Sequence, residues 1–170
     1  MAASKDGVCY VFDLKNRKLL QKLNFKVSPE KKSMLMRDCC FRRDNCIYTL
    51  CAQAREPSYI IKWAPSENKW VPNTTQQVYA KSCTSIKIGV CAETPLVVAL
   101  ASDGVVILLD HQTLLPIKAS KKLHNMPITC CAFSGKSLIT ASTDYSYQIT
   151  ALSQFAATKS WSLLLTKLLV

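Results

Sequence analysis

Short runs of apolar residues, alternating with polar ones or continuous, punctuate the chain from end to end, and no window carries the sustained three-four spacing of a globular helix. Strands are predicted over 8–14 and 18–25, then 34–42, 46–53, 59–64 and 70–79, then 85–91, 96–101, 105–110 and 115–121, and finally 128–133, 137–141 and 147–152. The fold class is all-β. Turns are expected at Lys15-Asn16-Arg17 and at Pro65-Ser66-Glu67-Asn68, and the charged stretch 26–32, holding Ser28-Pro29, reads as a longer connection. Alternation is weak in several runs, as in 96–101 and 105–110, which predicts strands packed on both faces rather than half-solvated ones.

A phrase recurs along this pattern. A small-residue turn with Asp precedes a hydrophobic run at Ala3-Ser4-Lys5-Asp6-Gly7, at Ala101-Ser102-Asp103-Gly104 and at Ala141-Ser142-Thr143-Asp144-Tyr145. Asp103 and Asp144 are 41 positions apart, while Asp6 and Asp103 are 97 apart, leaving room for one further unit before Tyr59-Ile60-Ile61-Lys62-Trp63. A period of about 40–45 residues is that of four-stranded WD-type β-propeller blades. Propellers close with about four to eight blades, and about three and a half are legible here, so the fold expected is a partial propeller over 1–152. Met1 stands just before a turn that belongs inside a blade, so the strands that should precede it are expected either to have been lost or to be supplied by a partner chain.

Residues 153–170 break the pattern and are expected to form a separate linker and apolar tail. The last ten, from Trp161 to Val170, are mainly apolar but include Lys167. A membrane-spanning helix needs about 20 such residues. The tail is therefore too short to span as it stands; it reads either as the first half of an anchor with Trp161 at the interface, or as an element packing on the propeller.

A net charge of +11 permits an anionic partner but does not choose among nucleic acid, phospholipid and an acidic protein face. Nine cysteines without a signal peptide, set inside strand patterns, read as reduced core residues. The neighbours Cys39-Cys40 and Cys130-Cys131 would point to opposite sheet faces, and with no C-x-x-C and only His111 and His124 a zinc site is not expected. Phosphate-binding and hydrolase motifs are absent, and the chain has only four glycines, which argues against nucleotide binding by the chain itself.

At Tyr59-Ile60-Ile61-Lys62-Trp63, Tyr79-Ala80-Lys81-Ser82-Cys83 and Asn125-Met126-Pro127-Ile128-Thr129-Cys130-Cys131-Ala132-Phe133, order and spacing resemble the C-terminal half of one WD-type family. It is the family of endoplasmic-reticulum guanine-nucleotide exchange factors for the Sar GTPase, that of prolactin regulatory element-binding protein, and the resemblance covers about residues 2–170. The resemblance implies a seven-bladed propeller on the cytosolic face of the endoplasmic reticulum membrane, anchored through the C-terminal tail. It would grip the nucleotide-free Sar GTPase and start COPII coat assembly. It implies no covalent catalysis, hence no catalytic residues, and no cofactor in this chain: the family's potassium-stabilised loop lies in the half that is missing.

His124 precedes a first strand and Asp144 lies 20 positions on, a spacing that in WD repeats joins a structural His–Asp pair; a catalytic pair would need a nucleophile, for which Ser134 and Ser142 are near in sequence. Thr84 or Ser85 is read as the equivalent of His124 in the third blade, so Asp103, like Asp6, is expected chiefly to hold its own turn. Trp63 reads as packing. Trp70, opening an outer strand, either joins an interface or packs on the blade rim, and Arg42 and Arg43 are candidate interface residues. A WD scaffold without exchange activity and a basic, nuclear DNA-associated regulator are the rival readings. Nucleic acid is the least supported partner, since no aromatic interleaving accompanies the charge. Binding through phosphates would fall steeply as salt rises, whereas a packed protein interface would respond weakly, so a salt titration of any binding separates the last reading from the others.

Overall fold

The computed structural model describes residues 2–3, 7–26, 34–42, 44–53, 55–91 and 94–157. Its strands are β1 (Ala2–Ala3), β2 (Val8–Asp13), β3 (Lys18–Asn24), β4 (Met36–Phe41), β5 (Ile47–Cys51), β6 (Ser58–Ser66), β7 (Lys69–Tyr79), β8 (Cys83–Cys91), β9 (Thr94–Ala101), β10 (Val106–Asp110), β11 (Pro116–Ala119), β12 (Ile128–Ser134), β13 (Ser137–Ser142), β14 (Tyr147–Ala151) and β15 (Ala156–Ala157), with a 3-10 turn at Leu152–Gln154. They form antiparallel sheets in chain order: β1-β2-β3, then β4-β5-β6-β7, then β8-β9-β10-β11, then β12-β13-β14. Each sheet is one blade.

Strand periodicity explains how the blades stack. Successive side chains of a strand point to opposite faces. In β5, Ile47 and Cys51 join Cys9, Val11 and Leu23 in one core beside the first blade, while Tyr48 and Leu50 turn to a second core shared with the third blade. In β9 the same division sends Val97, Ala99 and Ala101 toward the second blade and Val98 and Leu100 toward the fourth. Every residue of β5 is buried. That is why its sequence reads as a continuous hydrophobic run rather than an alternating one.

One irregularity repeats. The pairing of the first two strands of a blade slips between Met36 and Asp38, between Cys83 and Ser85, and between Ile128 and Cys130. This β-bulge leaves Arg37, Thr84 or Thr129 as the extra residue and bends the innermost strand. Thr84 and Thr129 each turn their hydroxyl onto a second-strand carbonyl, Leu100 O at 3.1 Å and Ala141 O at 3.2 Å. The bulges align the blades residue for residue, more closely than the Asp turns do.

The outer turns differ. Asp13 and Asp110 each close a turn by accepting backbone N–H bonds, from Lys15 and Asn16 and from Gln112 and Thr113. In the second blade the turn expected over Pro65–Asn68 is tighter: Pro65 pairs with Trp70 and Ser66 with Lys69, leaving Glu67 and Asn68 to reverse the chain. Glu67 takes a φ of 52°, as two-residue hairpin turns demand. After the fourth blade the chain returns to the third, where Ala156 and Ala157 pair with Ala119 and Lys118 and Phe155 is buried against the third–fourth junction. Of the residues expected to begin the tail, Phe155 is thus buried and Ala156–Ala157 are paired to the third blade; 158–170 lie outside the described residues.

The two terminal blades each present an apolar face to solvent. In the fourth, Tyr147 pairs with Ala141 and Ile149 with Ile139, placing them on the face of Cys130 and Ala132, and they are 71% and 63% exposed. In the first, Phe12 and Leu19 are paired and both well exposed. Uncovered blade faces invite association. Sedimentation velocity is expected to show a mass that rises with concentration, and replacing Tyr147 and Ile149 by Lys is expected to return it toward 18.9 kDa; a wild-type chain that stays monomeric across the dilution series contradicts this.

Candidate functional site: polar straps between the blades

Where one blade hands the chain to the next, polar groups clasp the turn inside the receiving blade. His124 is buried, with Nε2 2.8 Å from Thr140 Oγ1, Nδ1 3.0 Å from Ser146 Oγ, and Asp144 Oδ2 3.4 Å from Nδ1. Ser146 donates its hydroxyl proton to Asp144 Oδ1 at 2.6 Å. A hydroxyl has one proton to give. Ser146 therefore accepts from His124 Nδ1–H, while Nε2 shares a hydrogen bond with the Thr140 hydroxyl. The same Asp144 accepts the backbone N–H groups of Asn125 and Ser146, each at 3.0 Å, closing the strap on both sides.

The wiring excludes Ser-His-Asp chemistry. A nucleophilic triad passes the hydroxyl proton to the imidazole, which the carboxylate supports from its other nitrogen. Here the hydroxyl serves the carboxylate directly, and the second imidazole nitrogen is occupied by Thr140. Neither Ser134 nor Ser142 is the partner; the Ser142 hydroxyl faces the carbonyls of Met126 and Pro127. His124 and Asp144 meet as a structural strap.

The third blade keeps a strap with other residues. Matching Ser102 N to Ser82 O with Thr143 N to Pro127 O puts Tyr79, not Thr84 or Ser85, at the position of His124. Tyr79 donates its hydroxyl to Asp103 Oδ2 at 2.9 Å, and Lys81 Nζ reaches the same oxygen at 2.8 Å. Asp103 thus braces the connection from the second blade rather than only its own turn. A phenol is longer than an imidazole and offers a single donor, so a lysine completes the set. Gly104 lets the following connection lie close: at φ +85° its missing Cβ would fall 1.8 Å from His124 O.

Ser85 and Thr84, released from the strap, tie innermost strands together. Ser85 Oγ and Ile86 N donate to Asp38 Oδ2 of the second blade, the latter at 3.0 Å, and Thr84 Oγ1 also faces Ile128 O of the fourth. Trp63 is buried with its indole N–H on Thr49 Oγ1 at 2.9 Å. Thr49 of the second blade and Thr140 of the fourth, the acceptor of Trp63 and the partner of His124, stand at equivalent positions on the second strands of their blades.

Trp70 is half-buried on the rim. Its backbone N–H donates to Gln21 Oε1 at 2.7 Å and its carbonyl accepts from Gln21 Nε2 at 2.8 Å, so one amide side chain imitates a strand between the outer strands of two blades. Its indole donates to Asn45 O at 2.8 Å. These contacts place it on the blade rim. Arg42 pairs with Asp44 at 3.2 Å. Arg43 and Asp6 lie outside the described residues, and among those described no three His, Cys, Asp or Glu side chains converge as metal ligands.

No protein-family profile and no curated protein matches the sequence. Solved structures do. The chain superposes on a crystal structure of the computationally designed Ika4 protein with a TM-score of 0.64 at 14% identity, covering 88% of this chain and 82% of that one. It superposes on a chain of the COPII outer coat vertex on membranes with a TM-score of 0.75 at 16% identity, covering 93% of this chain. The chain is a run of β-propeller blades. A chain of the COPII coat assembled on membranes is matched equally well, with a TM-score of 0.75 at 16% identity over 93% of this chain. The propeller spans only 42% and 23% of those two coat chains, and at such identity the likeness is one of fold.

The straps are expected to make the propeller acid-sensitive. The Ser146 hydroxyl, the Asn125 and Ser146 amides and the nearby His124 hold Asp144 well below the usual aspartate range despite opposing desolvation. In Asp103 desolvation opposes the same trend, but the Lys81 and Tyr79 hydrogen bonds outweigh it. A carboxyl whose pKa is lower folded than unfolded stabilises the fold above its unfolded pKa, and that contribution is lost as pH falls through the folded value. Asp144→Asn is expected to lower the melting temperature at neutral pH and to flatten its fall below pH 4. An unchanged acid limb would remove Asp144 from the account.

Proposed function

We propose that this chain is the C-terminal half of a WD-type exchange factor for the Sar GTPase, working at the cytosolic face of the endoplasmic reticulum at the start of COPII vesicle formation. The observation that carries the proposal is the superposition of nearly the whole chain on propellers of the COPII coat. The order of residues at 59–63, 79–83 and 125–133 adds the resemblance to the Sar exchange-factor family. The likeness to COPII coat chains by itself supports a COPII-related propeller; the GTPase partner and the exchange step belong to the proposal.

Exchange of this kind needs a contact surface, not an acid, base or nucleophile. A propeller that binds the empty GTPase more tightly than the nucleotide-bound form shifts the population toward nucleotide release. A coupling of about 1–3 kcal/mol gives about 5–150-fold. The straps fit this role by fixing the loops at one end of the blades, where a partner's surface would register. The membrane anchor is proposed for the tail; among the described residues no helix is long and apolar enough to cross a membrane.

The test is release of a fluorescent guanine nucleotide from purified Sar GTPase, measured with this chain and with this chain joined to the complementary propeller blades. Acceleration by the completed propeller supports exchange activity. Absence of acceleration with either contradicts it and leaves a scaffold that binds proteins without activating them.

A further inference from the structure

The Asp turns inside the first, third and fourth blades end on a residue with a left-handed backbone: Gly7, Gly104 and Tyr145, with φ of 78°, 85° and 61°. Glycine takes this conformation freely, whereas a bulky side chain there is an outlier. Gly104 N and Tyr145 N close the same bond, to Ala101 O at 3.2 Å and to Ser142 O at 3.3 Å, so the turn asks nothing of Tyr145 that glycine does not supply. Its side chain is fully exposed. A tyrosine that strains its backbone and gains no burial points to a task outside the chain. We infer that Tyr145 anchors the surface by which the strap end of the blades takes a protein partner, one offering an apolar hollow ringed by carboxylates. The inference rests on the exchange reading, under which that partner is the nucleotide-free GTPase.

The surroundings suit an anchor. The turn is clasped on both sides: Asp144 accepts from the Ser146 hydroxyl at 2.6 Å and from Asn125 N at 3.0 Å, and Thr143 N donates to Pro127 O at 3.2 Å. The base of the tyrosine is therefore fixed before a partner arrives, and little backbone freedom is lost on binding. Met126, half exposed, stands on the other chain of the same clasp, where the Ser142 hydroxyl meets its carbonyl at 3.1 Å. Tyrosine and methionine are both enriched at protein interfaces.

Charge sets the kind of partner. Among the described residues of the strap-end connections, 53–57, 80–82, 102–104, 120–127 and 142–145, the exposed charged side chains are Arg55, Lys81, Lys121, Lys122 and a single acid, Glu56. Asp103 and Asp144 are held in the straps and turn no free carboxylate outward to offset the bases. A basic rim around an aromatic centre is complementary to an acidic rim around a hollow, and it speeds the encounter of the two.

The experiment measures the affinity of purified, nucleotide-free Sar GTPase for the full chain joined to its complementary blades, beside the melting temperature of each variant. Tyr145→Gly and Tyr145→Asn, which both accept a left-handed backbone, are each expected to weaken binding about tenfold or more while the melting temperature stays equal or rises. Lys121→Glu combined with Lys122→Glu is expected to slow association, most at low salt. Unchanged affinity in both Tyr145 variants overturns the inference and leaves the exchange reading standing; a wild-type chain that does not bind the GTPase overturns both. A melting temperature lowered by both variants would make Tyr145 a structural residue, and a change confined to self-association of the chain would join it to the open face of the fourth blade. Either result overturns the assignment.

Discussion

Burial of both faces of the inner strands is the constraint on which the rest depends. A sheet that packs on one side can close a small core by itself, but β5, β9 and β10 have apolar side chains on both sides and need a sheet against each. Stacking blade on blade is the arrangement that satisfies them, and it divides each strand's residues between two cores by their parity. The repeated bulge follows from the same demand, because the innermost strands converge toward one axis and must bend to pass each other. Where no further blade is described, the demand is unmet, and Tyr147, Ile149, Phe12 and Leu19 stay open.

Polar groups refine what packing establishes. The connections between blades would leave backbone groups without partners if they merely crossed the surface, and the carboxylates of Asp144 and Asp103 gather them into place. Histidine with serine and threonine performs this task in the fourth blade, tyrosine with lysine in the third. The position is conserved in geometry within one chain while its chemistry changes. The loops so assembled are fixed at one end of the blades by these hydrogen bonds.

The all-β class, the longer strands and the blade boundaries were legible because apolar runs and turn residues carry them locally, whereas the two-residue strands Ala2–Ala3 and Ala156–Ala157 were not. Asp13 and Asp110 illustrate this: each ends its run and each caps the turn that follows. What escaped was whatever depends on alignment across blades. Tyr79 looked like the end of an outer strand because no motif marks a tyrosine as the partner of Asp103, and Thr84 looked like its replacement because the bulge adds a residue that counting along the sequence does not reveal. Ser146 and Thr140 were hidden for the same reason. Phe155 was read with the tail because its neighbours are polar and small, yet its ring finds the third–fourth junction only after the chain turns back at Leu152. Pro65 suggested a turn, but on an exposed strand position its missing N–H costs no ladder bond.

If blade-on-blade packing holds this molecule together, local stability must follow the number of covered faces rather than the number of hydrogen bonds. Amide hydrogen exchange followed by mass spectrometry measures this directly. Slowest exchange is predicted for Ile47–Cys51, Thr94–Ala101 and Val106–Asp110, whose blades are covered on both sides, and distinctly faster exchange for Ser137–Ser142, which is likewise paired along both edges but lies in the fourth blade, with one face open. Protection of Ser137–Ser142 equal to that of those strands would contradict the account, because strand pairing alone would then suffice to hold a blade.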